Sequence, residues 1–276
     1  MCKFRRFCKR YFQKEVIILK ISKLIFLLFL SFIVLIPSNV FALDNTNDNI
    51  ELNWYFVNRH DGNIPECPKE SADFFESLDA HYVGDINNKV IYLTFDQGYE
   101  NGHTNKILDI LKEENVPAAF FVVKPYIKTA GEIVKRMVDE GHLVCNHSSN
   151  HPSMASITDE NKFNSEFSVV EEDFKALTGQ DMPKFFRPPM GKYSKTSLTR
   201  TKALGYKTIF WSFAYKDWIV DSQPDEATAI KKITEGAHPG CIMLLHSVSS
   251  TNAKVLKTVI QKLKADGYEF KSLNEL

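Results

Sequence analysis

The sequence predicts an α/β fold with a parallel β-sheet or barrel at its centre. Short apolar runs of strand length alternate with longer stretches of helical periodicity, as they do in consecutive strand–helix units. Ionisable residues closely follow several of the apolar runs, at Asp96, His147, Arg187 and His246. Because the carboxyl ends of parallel strands lie at one edge, we expect these side chains to converge on one mouth, as in an enzyme.

The predicted elements alternate from Lys89 to the C-terminus. Apolar runs predict strands at 90–95, 116–123, 142–146, 185–186, 207–212, 241–246 and 268–273. Helical periodicity predicts helices at 101–115, 129–140, 158–178, 194–204, 225–237 and 251–265. These elements make about seven strand–helix units, and the sequence has no internal repeat.

The first 42 residues have the composition of an export signal. Basic residues dominate positions 1–23, an uncharged apolar run follows at 24–36, and Val40 and Ala42 suit the −3 and −1 positions of a cleavage site. The apolar run is shorter than the roughly 20 residues that a membrane span needs. A cleaved signal peptide and an uncleaved N-terminal membrane anchor both remain open.

Residues 43–88 precede the regular alternation. They lack clear periodicity and are punctuated by Pro65, Pro68 and Gly84, so we expect a linker and a pre-barrel segment over the outside of the barrel. The domain that carries the chemistry is then expected at 89–276.

Charge and cysteine content exclude two classes of protein. The leader holds eight of the 34 basic residues and one of the 34 acidic ones, which leaves 26 basic and 33 acidic residues after position 42. No basic face remains to bind nucleic acid. The remaining cysteines, Cys67, Cys145 and Cys241, are odd in number and lack metal-like spacing, so no disulfide framework is expected. Cys145 and Cys241 lie in apolar strands and are predicted to be buried.

Each candidate site residue has a functional and a structural interpretation. Asp96 is either a reactive carboxylate or an N-cap of the next helix. A single histidine is usually structural, but His147 and His151, four residues apart, can present two imidazoles to one divalent ion. Arg187 can hold a carboxylate ionised, or it is a surface residue before a turn. His246 ends an apolar strand as a general acid or as a core histidine.

Five ordered motifs resemble those of the polysaccharide deacetylases of NodB-homology type, carbohydrate esterase family 4. They are TFDQG at 94–98, HSSNH at 147–151, RPPMGKY at 187–193, DW at 217–218 and LLHS at 244–247. The resemblance covers 89–276 and implies a distorted (β/α)7 barrel. The wider string TFDQGYENGHT is similar to the branch that deacetylates N-acetylmuramic acid of peptidoglycan and so leads to muramic-δ-lactam in the spore cortex.

The resemblance implies roles for the reacting groups and the metal ligands. Asp96 would be the general base that takes a proton from the attacking water, and His246 would be the acid that protonates the departing amine. His147 and His151 would be ligands of a divalent metal ion, with Zn, Mn, Co and Mg not distinguished.

The resemblance also implies roles for the residues around them. Arg187 and Asp217 would form a pair that positions the catalytic carboxylate. Trp218 and Leu245 would form the pocket for the acetyl methyl group, and the backbone N–H of Tyr193 would stabilise the oxyanion.

Two positions depart from the family pattern. Gln97 stands where most of the family has a second Asp as the third metal ligand, and an amide oxygen is a weaker ligand than a carboxylate. Metal affinity is therefore expected to fall, which leaves the identity and the occupancy of the ion open. Ala214 stands three residues before Asp217, where the family pattern has another Asp.

The resemblance implies a monomeric hydrolase, secreted or membrane-anchored, that acts on peptidoglycan glycan strands. The preferred substrate would be N-acetylmuramic acid in peptide-free glycan, with the forespore intermembrane space as a candidate compartment. An alternative within the class is a deacetylase of N-acetylglucosamine in peptidoglycan or chitin-like glycan. An alternative of another class is an inactive barrel that binds cell-wall glycan, which Gln97 favours and the retained Asp96 and His246 oppose.

Overall fold

A curved, mostly parallel sheet forms the centre of the structure. The computed structural model describes residues 46–57 and 63–276, so the predicted leader at 1–42 lies outside the described residues. The strands are β1 (Leu52–Asn53), β2 (Ala80–His81), β3 (Val90–Gln97), β4 (Ala118–Val122), β5 (Leu143–Asn146), β6 (Phe185–Phe186), β7 (Lys192–Tyr193), β8 (Lys207–Ile209), β9 (Cys241–His246) and β10 (Glu269–Phe270). The helices are α1 (Thr104–Glu113), α2 (Lys124–Thr129), α3 (Gly131–Asp139), α4 (Glu160–Thr178), α5 (Lys195–Ala203), α6 (Glu226–Glu235) and α7 (Ser250–Ala265). Within those ranges no helix has the length and hydropathy that crossing a membrane requires.

The predicted α/β barrel is confirmed. The main sheet runs β9–β3–β4–β5–β6–β8–β2 with parallel neighbours throughout, and β10 also pairs with β3. Beyond β8 the chain returns to β9, where Ser212 N donates to Ile242 O at 3.0 Å and Leu244 N donates to Phe213 O at 2.8 Å. These few backbone bonds close the barrel without a full strand, which gives the distorted form.

The two faces of each strand bury different side chains. On β3, Tyr92 packs inside the barrel with Phe121 of β4 and Ile242 of β9. Phe95 points the other way and stacks on Phe120 beneath the helices, with ring centroids 5.1 Å apart. Because successive strand residues face opposite sides, this alternation decides which residue at each strand end can face the mouth.

The segment before Lys89 takes part in the sheet, contrary to the prediction that it lies over the outside. Ala80–His81 pairs parallel to β8 in the main sheet, whereas Leu52–Asn53 pairs antiparallel to β7 in a separate two-stranded sheet. Trp54 is 7% exposed, and its indole N–H donates to Trp211 O at 2.9 Å. Strands of two residues leave no periodic pattern in the sequence, so only tertiary pairing defines them.

Three helix boundaries test the sequence rules. The helix predicted at 129–140 is observed at Gly131–Asp139, and a helix that was not predicted, Lys124–Thr129, precedes it. Ala130 separates the two, because its φ of −121° and ψ of 33° are not helical. Asp159 caps α4, one residue after the predicted start at Thr158, and Asp225 caps α6 as predicted. The cysteines predicted to be buried, at positions 145 and 241, are buried.

Replacing Trp54 tests whether the segment before residue 89 belongs to the folded domain. Trp54→Ala removes a buried indole that stacks on Phe75, so we expect the free energy of unfolding to fall by about 3–5 kcal/mol. Urea denaturation measures this change. Tyr55 is 50% exposed, and Tyr55→Ala as the neighbouring control should change it by about 0.5 kcal/mol or less. Equal stability of Trp54→Ala and the wild type would contradict the packing described above.

Candidate active site

A cavity of about 720 Å³ opens at the carboxyl ends of the strands. Among its lining residues are Asp96, His147, His151 and His246, which come from three strand ends and one loop. Its further lining residues are Gly98, Tyr99, Met190, Gly191, Trp211, Ala214, Tyr215, Lys216, Trp218, Leu244 and Val248. The predicted convergence of ionisable side chains on one mouth is therefore observed.

Asp96 is held by a buried arginine. Arg187 Nη1 donates to Asp96 Oδ1 at 2.8 Å, and the other guanidinium nitrogens donate to Ile209 O at 3.0 Å and Phe210 O at 3.2 Å. The Arg187 side chain is 0% exposed and lies over the ring of Phe121, 4.2 Å from its centroid. The N-cap interpretation of Asp96 and the surface interpretation of Arg187 are wrong.

The surroundings of Asp96 favour its ionised form. Burial raises the pKa of this carboxyl, but the positive charge of Arg187 and the nearby imidazoles of His147 and His246 more than offset burial. The net pKa of Asp96 lies below its usual range. The carboxylate is therefore available as a proton acceptor at neutral pH.

His246 is held by a buried carboxylate. Asp217 Oδ1 lies 2.7 Å from His246 Nδ1, and Asp217 Oδ2 accepts from the backbone N–H of His246 at 2.8 Å and from Asn252 Nδ2 at 2.6 Å. Burial lowers the pKa of His246, but the hydrogen bond and charge of Asp217 outweigh burial and raise it overall. The imidazole is therefore biased toward its protonated form.

The resemblance implied that Arg187 and Asp217 together position the catalytic carboxylate, and the contacts agree with this role for Arg187 but correct it for Asp217. Arg187 bonds to Asp96, whereas Asp217 bonds to His246. Asp217 lies in the segment that follows β8. This segment passes beside the end of β9, and the Asp217 carboxylate therefore reaches the imidazole of His246. The two acidic residues have separate partners.

The two pairs place a carboxylate and an imidazole side by side. Asp96 and His246 are directly opposite one another in the register of β3 and β9, and parallel strands lie about 4.8 Å apart. Both side chains face the cavity. A low-pKa carboxylate next to a raised-pKa imidazole supplies the opposite protonation states that a general base and a general acid need.

The other two histidines form a neutral pair. His147 Nδ1 is 2.8 Å from Arg187 O, so this nitrogen carries the proton and Nε2 keeps a lone pair. The rings of His147 and His151 have centroids 4.9 Å apart, and His147 Nε2 is 3.7 Å from Asp96 Oδ2. Burial lowers the pKa of His147 to about 4 and is also the main cause of the lowered pKa of His151. Neutral imidazoles with a free nitrogen fit a divalent metal ion.

Gln97 does not join this histidine pair at the cavity. It follows Asp96 on β3 and so faces the opposite side, where its amide nitrogen donates to Ser247 Oγ. Its Oε1 is buried without a hydrogen-bond partner in the described part of the chain. Residues 46–57 and 63–276 contain no cluster of three His, Cys, Asp or Glu suited to a metal. The role of Gln97 as a weak metal ligand stays a prediction.

The predicted methyl pocket needs one correction. Trp218 lines the cavity, with its ring centroid 5.4 Å from that of His246. Leu245 does not line it, because this side chain is fully buried in the core beneath the helices. Leu244 lines the cavity instead, since residues 244 and 246 share one face of β9.

Tyr193 lies behind the cavity wall. Its ring is buried against Phe75 and Phe210, and its hydroxyl is hydrogen-bonded to Ser71. The residue itself pairs with Leu52 across β1 and β7. The oxyanion role predicted for its backbone N–H stays a prediction.

The loop that carries His151 depends on a residue that the sequence reasoning missed. Ser148 and His151 have φ values of 69° and 56°, in the left-handed region that L-residues seldom adopt. Glu166, 5% exposed, accepts from the backbone N–H and the side-chain amide of Asn150, both at 2.8 Å. Its signal in the sequence is an acid beside Phe163 and Phe167, on the buried side of the helix.

A family model, a curated relative and a solved structure are similar to this chain. The family model for polysaccharide deacetylase matches residues 84–209. Peptidoglycan-N-acetylmuramic acid deacetylase PdaA of Bacillus subtilis is 41% identical over 83% of this chain and 86% of its own. The solved structure of PdaA, described as a family 4 carbohydrate esterase, superposes with a TM-score of 0.80 over 83% of this chain and 97% of that one.

Two more distant relatives differ in what their names state. Peptidoglycan-N-acetylglucosamine deacetylase PgdA of Listeria monocytogenes is 35% identical over 77% of this chain and 41% of its own. A solved family 4 pseudoenzyme from Bacillus anthracis is 29% identical, with a TM-score of 0.66 over 71% of this chain and 68% of that one. Sequence similarity to this family thus extends to active and inactive members.

Replacing Asp217 tests the control of His246. Asp217→Asn removes the charge that raises the pKa of His246, so this pKa should fall below its wild-type value. In the wild type, the stabilisation from protonated His246 is present below the ordinary histidine pKa of about 6.5 and is lost as pH rises through the folded value. NMR titration of the histidine ring protons measures the change, with His142 as an internal reference. An unchanged His246 titration would contradict the pairing.

Proposed function

The chain belongs to the polysaccharide deacetylases of carbohydrate esterase family 4, and on that premise we propose that it deacetylates N-acetylmuramic acid in peptidoglycan. The observation that carries this proposal is the side-by-side placement of Asp96 and His246, each paired with a residue that fixes its protonation state. Its similarity to PdaA supports the choice of sugar.

In the proposed reaction, Asp96 takes a proton from water as the water oxygen bonds to the acetyl carbonyl carbon. His246 then gives a proton to the amide nitrogen as the carbon–nitrogen bond breaks. The products are acetate and a free amine on the sugar. Arg187 keeps Asp96 ionised before the reaction, and Asp217 orients the imidazole and stabilises its protonated form.

His147 and His151 would hold the divalent ion on which the family's chemistry commonly relies. A bound ion would polarise the acetyl carbonyl and lower the pKa of water. The two histidines are suited to this role because burial keeps both neutral. The hydrogen bond from His147 Nδ1 to Arg187 O leaves the lone pair of His147 Nε2 for the ion. With Gln97 turned toward Ser247, weak binding of the ion is proposed.

The proposed substrate is glycan from which the stem peptide has been removed. The freed amine could then attack the lactyl carboxyl group and close a muramic-δ-lactam with loss of water, as a step in making spore cortex. Peptidoglycan lies outside the cytoplasmic membrane, so we assign residues 1–42 to export or anchoring and residues 43–276 to a monomeric extracytoplasmic domain. The forespore intermembrane space is the proposed compartment.

Two alternatives each have an observation in their favour. The similarity to PgdA favours N-acetylglucosamine as the sugar. The similarity to a pseudoenzyme, together with Gln97 facing away from the histidines, favours a glycan-binding barrel without activity. The retained acid–base pair at Asp96 and His246 opposes the second alternative, because binding alone requires neither group.

Product analysis tests the proposed function. Residues 43–276 are incubated with peptide-free and with peptide-bearing glycan strands, with and without a chelator, and the products are identified by mass spectrometry. We expect muramic acid products from peptide-free glycan and lower turnover with chelator, because an ion held by only two imidazoles of the protein dissociates readily. Glucosamine products alone would contradict the muramic assignment, and no acetate release from any glycan would support the binding barrel.

Replacing Asp96 tests the assignment of the base. Asp96→Asn should lower kcat by about 10²- to 10⁴-fold, because the amide cannot accept the proton from water. It also leaves Arg187 buried without a counter-charge, so the free energy of unfolding should fall by about 3–5 kcal/mol. Turnover is therefore measured below the unfolding transition. Asp139→Asn, an exposed carboxylate on α3, is the matched control. A folded Asp96→Asn variant with wild-type turnover would rule out the base role.

A further inference from the structure

Lys216 contributes a positive charge to the cavity that the reaction described above does not use. It is exposed, lies between Tyr215 and Asp217 in the chain, and lines the same cavity as Asp96 and His246. The other residues that line the cavity include no lysine or arginine. Within residues 46–57 and 63–276, no carboxylate forms an ion pair with Lys216.

In the part of the chain that the structure describes, the other cations near this mouth are already paired. Arg187 is bonded to Asp96 at 2.8 Å, and His246 is 2.7 Å from Asp217. Lys192, which directly follows a residue that lines the cavity, is bonded to Glu51 at 2.6 Å. Among the described residues, the charge on Lys216 is therefore the positive charge at the cavity that no carboxylate compensates, and a substrate anion would meet it there.

The proposed sugar carries an anion close to the reacting amide. In N-acetylmuramic acid, the lactyl ether is on the ring carbon next to the one that bears the acetamido group. In peptide-free glycan this lactyl group ends in a carboxylate. With a stem peptide attached, the lactyl carboxyl group is part of a neutral amide bond. N-acetylglucosamine has no lactyl group and carries only a hydroxyl group on the corresponding ring carbon. One cation at the cavity rim can therefore distinguish peptide-free N-acetylmuramic acid from its peptide-bearing form and from N-acetylglucosamine.

We infer that Lys216 is a specificity-determining residue that binds the free lactyl carboxylate of the substrate sugar. This inference rests on the proposed function, because it concerns the same site and the same sugar. The long side chain of Lys216 starts one residue before Asp217, whose carboxylate fixes the acid His246. A carboxylate bound by Lys216 would lie beside the reacting groups, as the neighbouring ring positions of the sugar require.

The experiment uses two glycans that differ only at the lactyl group. One is peptide-free glycan with the free carboxylate, and the other is the same glycan with that group capped as its methylamide. For wild type and Lys216→Gln, kcat/KM for acetate release is measured on both. The wild type should prefer the carboxylate glycan, and the variant should lose about 3- to 10-fold of this preference, mainly through KM, as expected for a partly exposed ion pair. Added salt should weaken the wild-type preference.

Two control variants separate a charge effect from a change in structure. Lys216→Arg keeps the positive charge and should keep most of the preference. Lys106→Gln changes an exposed lysine on α1 that does not line the cavity, and the preference should stay at its wild-type value. An unchanged preference in Lys216→Gln, or equal losses on both glycans, would overturn the inference.

Failure of the proposed function would give a different result. If the wild type releases no acetate from either glycan, the proposed function fails, and calorimetric binding of the same two glycans then tests Lys216 directly. Tighter binding of the carboxylate glycan by wild type, lost in Lys216→Gln, would support the inference. Equal affinities of the wild type for the two glycans would overturn it.

Discussion

The buried guanidinium of Arg187 is the interaction on which the mouth of the barrel depends. Its side chain bonds to Asp96 at the end of β3 and to the Ile209 carbonyl at the end of β8, and its own carbonyl accepts from His147. A buried cation without a counter-charge is strongly destabilising, so the ionised Asp96 carboxylate stabilises the fold as well as the site. Stability and reactivity at this position are therefore linked.

The site keeps acid and base apart by giving each a buried partner of opposite charge. Arg187 lowers the pKa of Asp96, and Asp217 raises that of His246, although burial acts on both groups in the opposite direction. The neighbouring His147 has no carboxylate as its hydrogen-bond partner, so burial prevails and it stays neutral. Three residues in one cavity thus have three different proton affinities, because a paired charge outweighs burial at Asp96 and His246, whereas burial prevails at His147.

The convergence of the candidate site was predictable because it follows from a general property of parallel sheets. Asp96 and His246 lie at the ends of their strands and His147 directly follows one, and strand ends share one edge. The alternation within a strand was also present in the sequence: once His246 faces the mouth, Leu244 shares its face and Leu245 does not. The family resemblance assigned Leu245 to the pocket for the acetyl methyl group, and strand geometry corrects that assignment.

The sequence by itself determined the order of strands and helices and the ionisable residues at their ends, because both depend on periodicity over neighbouring residues. Tertiary structure alone decided that Ala80–His81 joins the sheet and that Asp217 bonds to His246 rather than working with Arg187. Strands of two residues and contacts from loops carry no periodic signal. Their partners lie far away along the chain, and they are therefore defined only when the barrel closes.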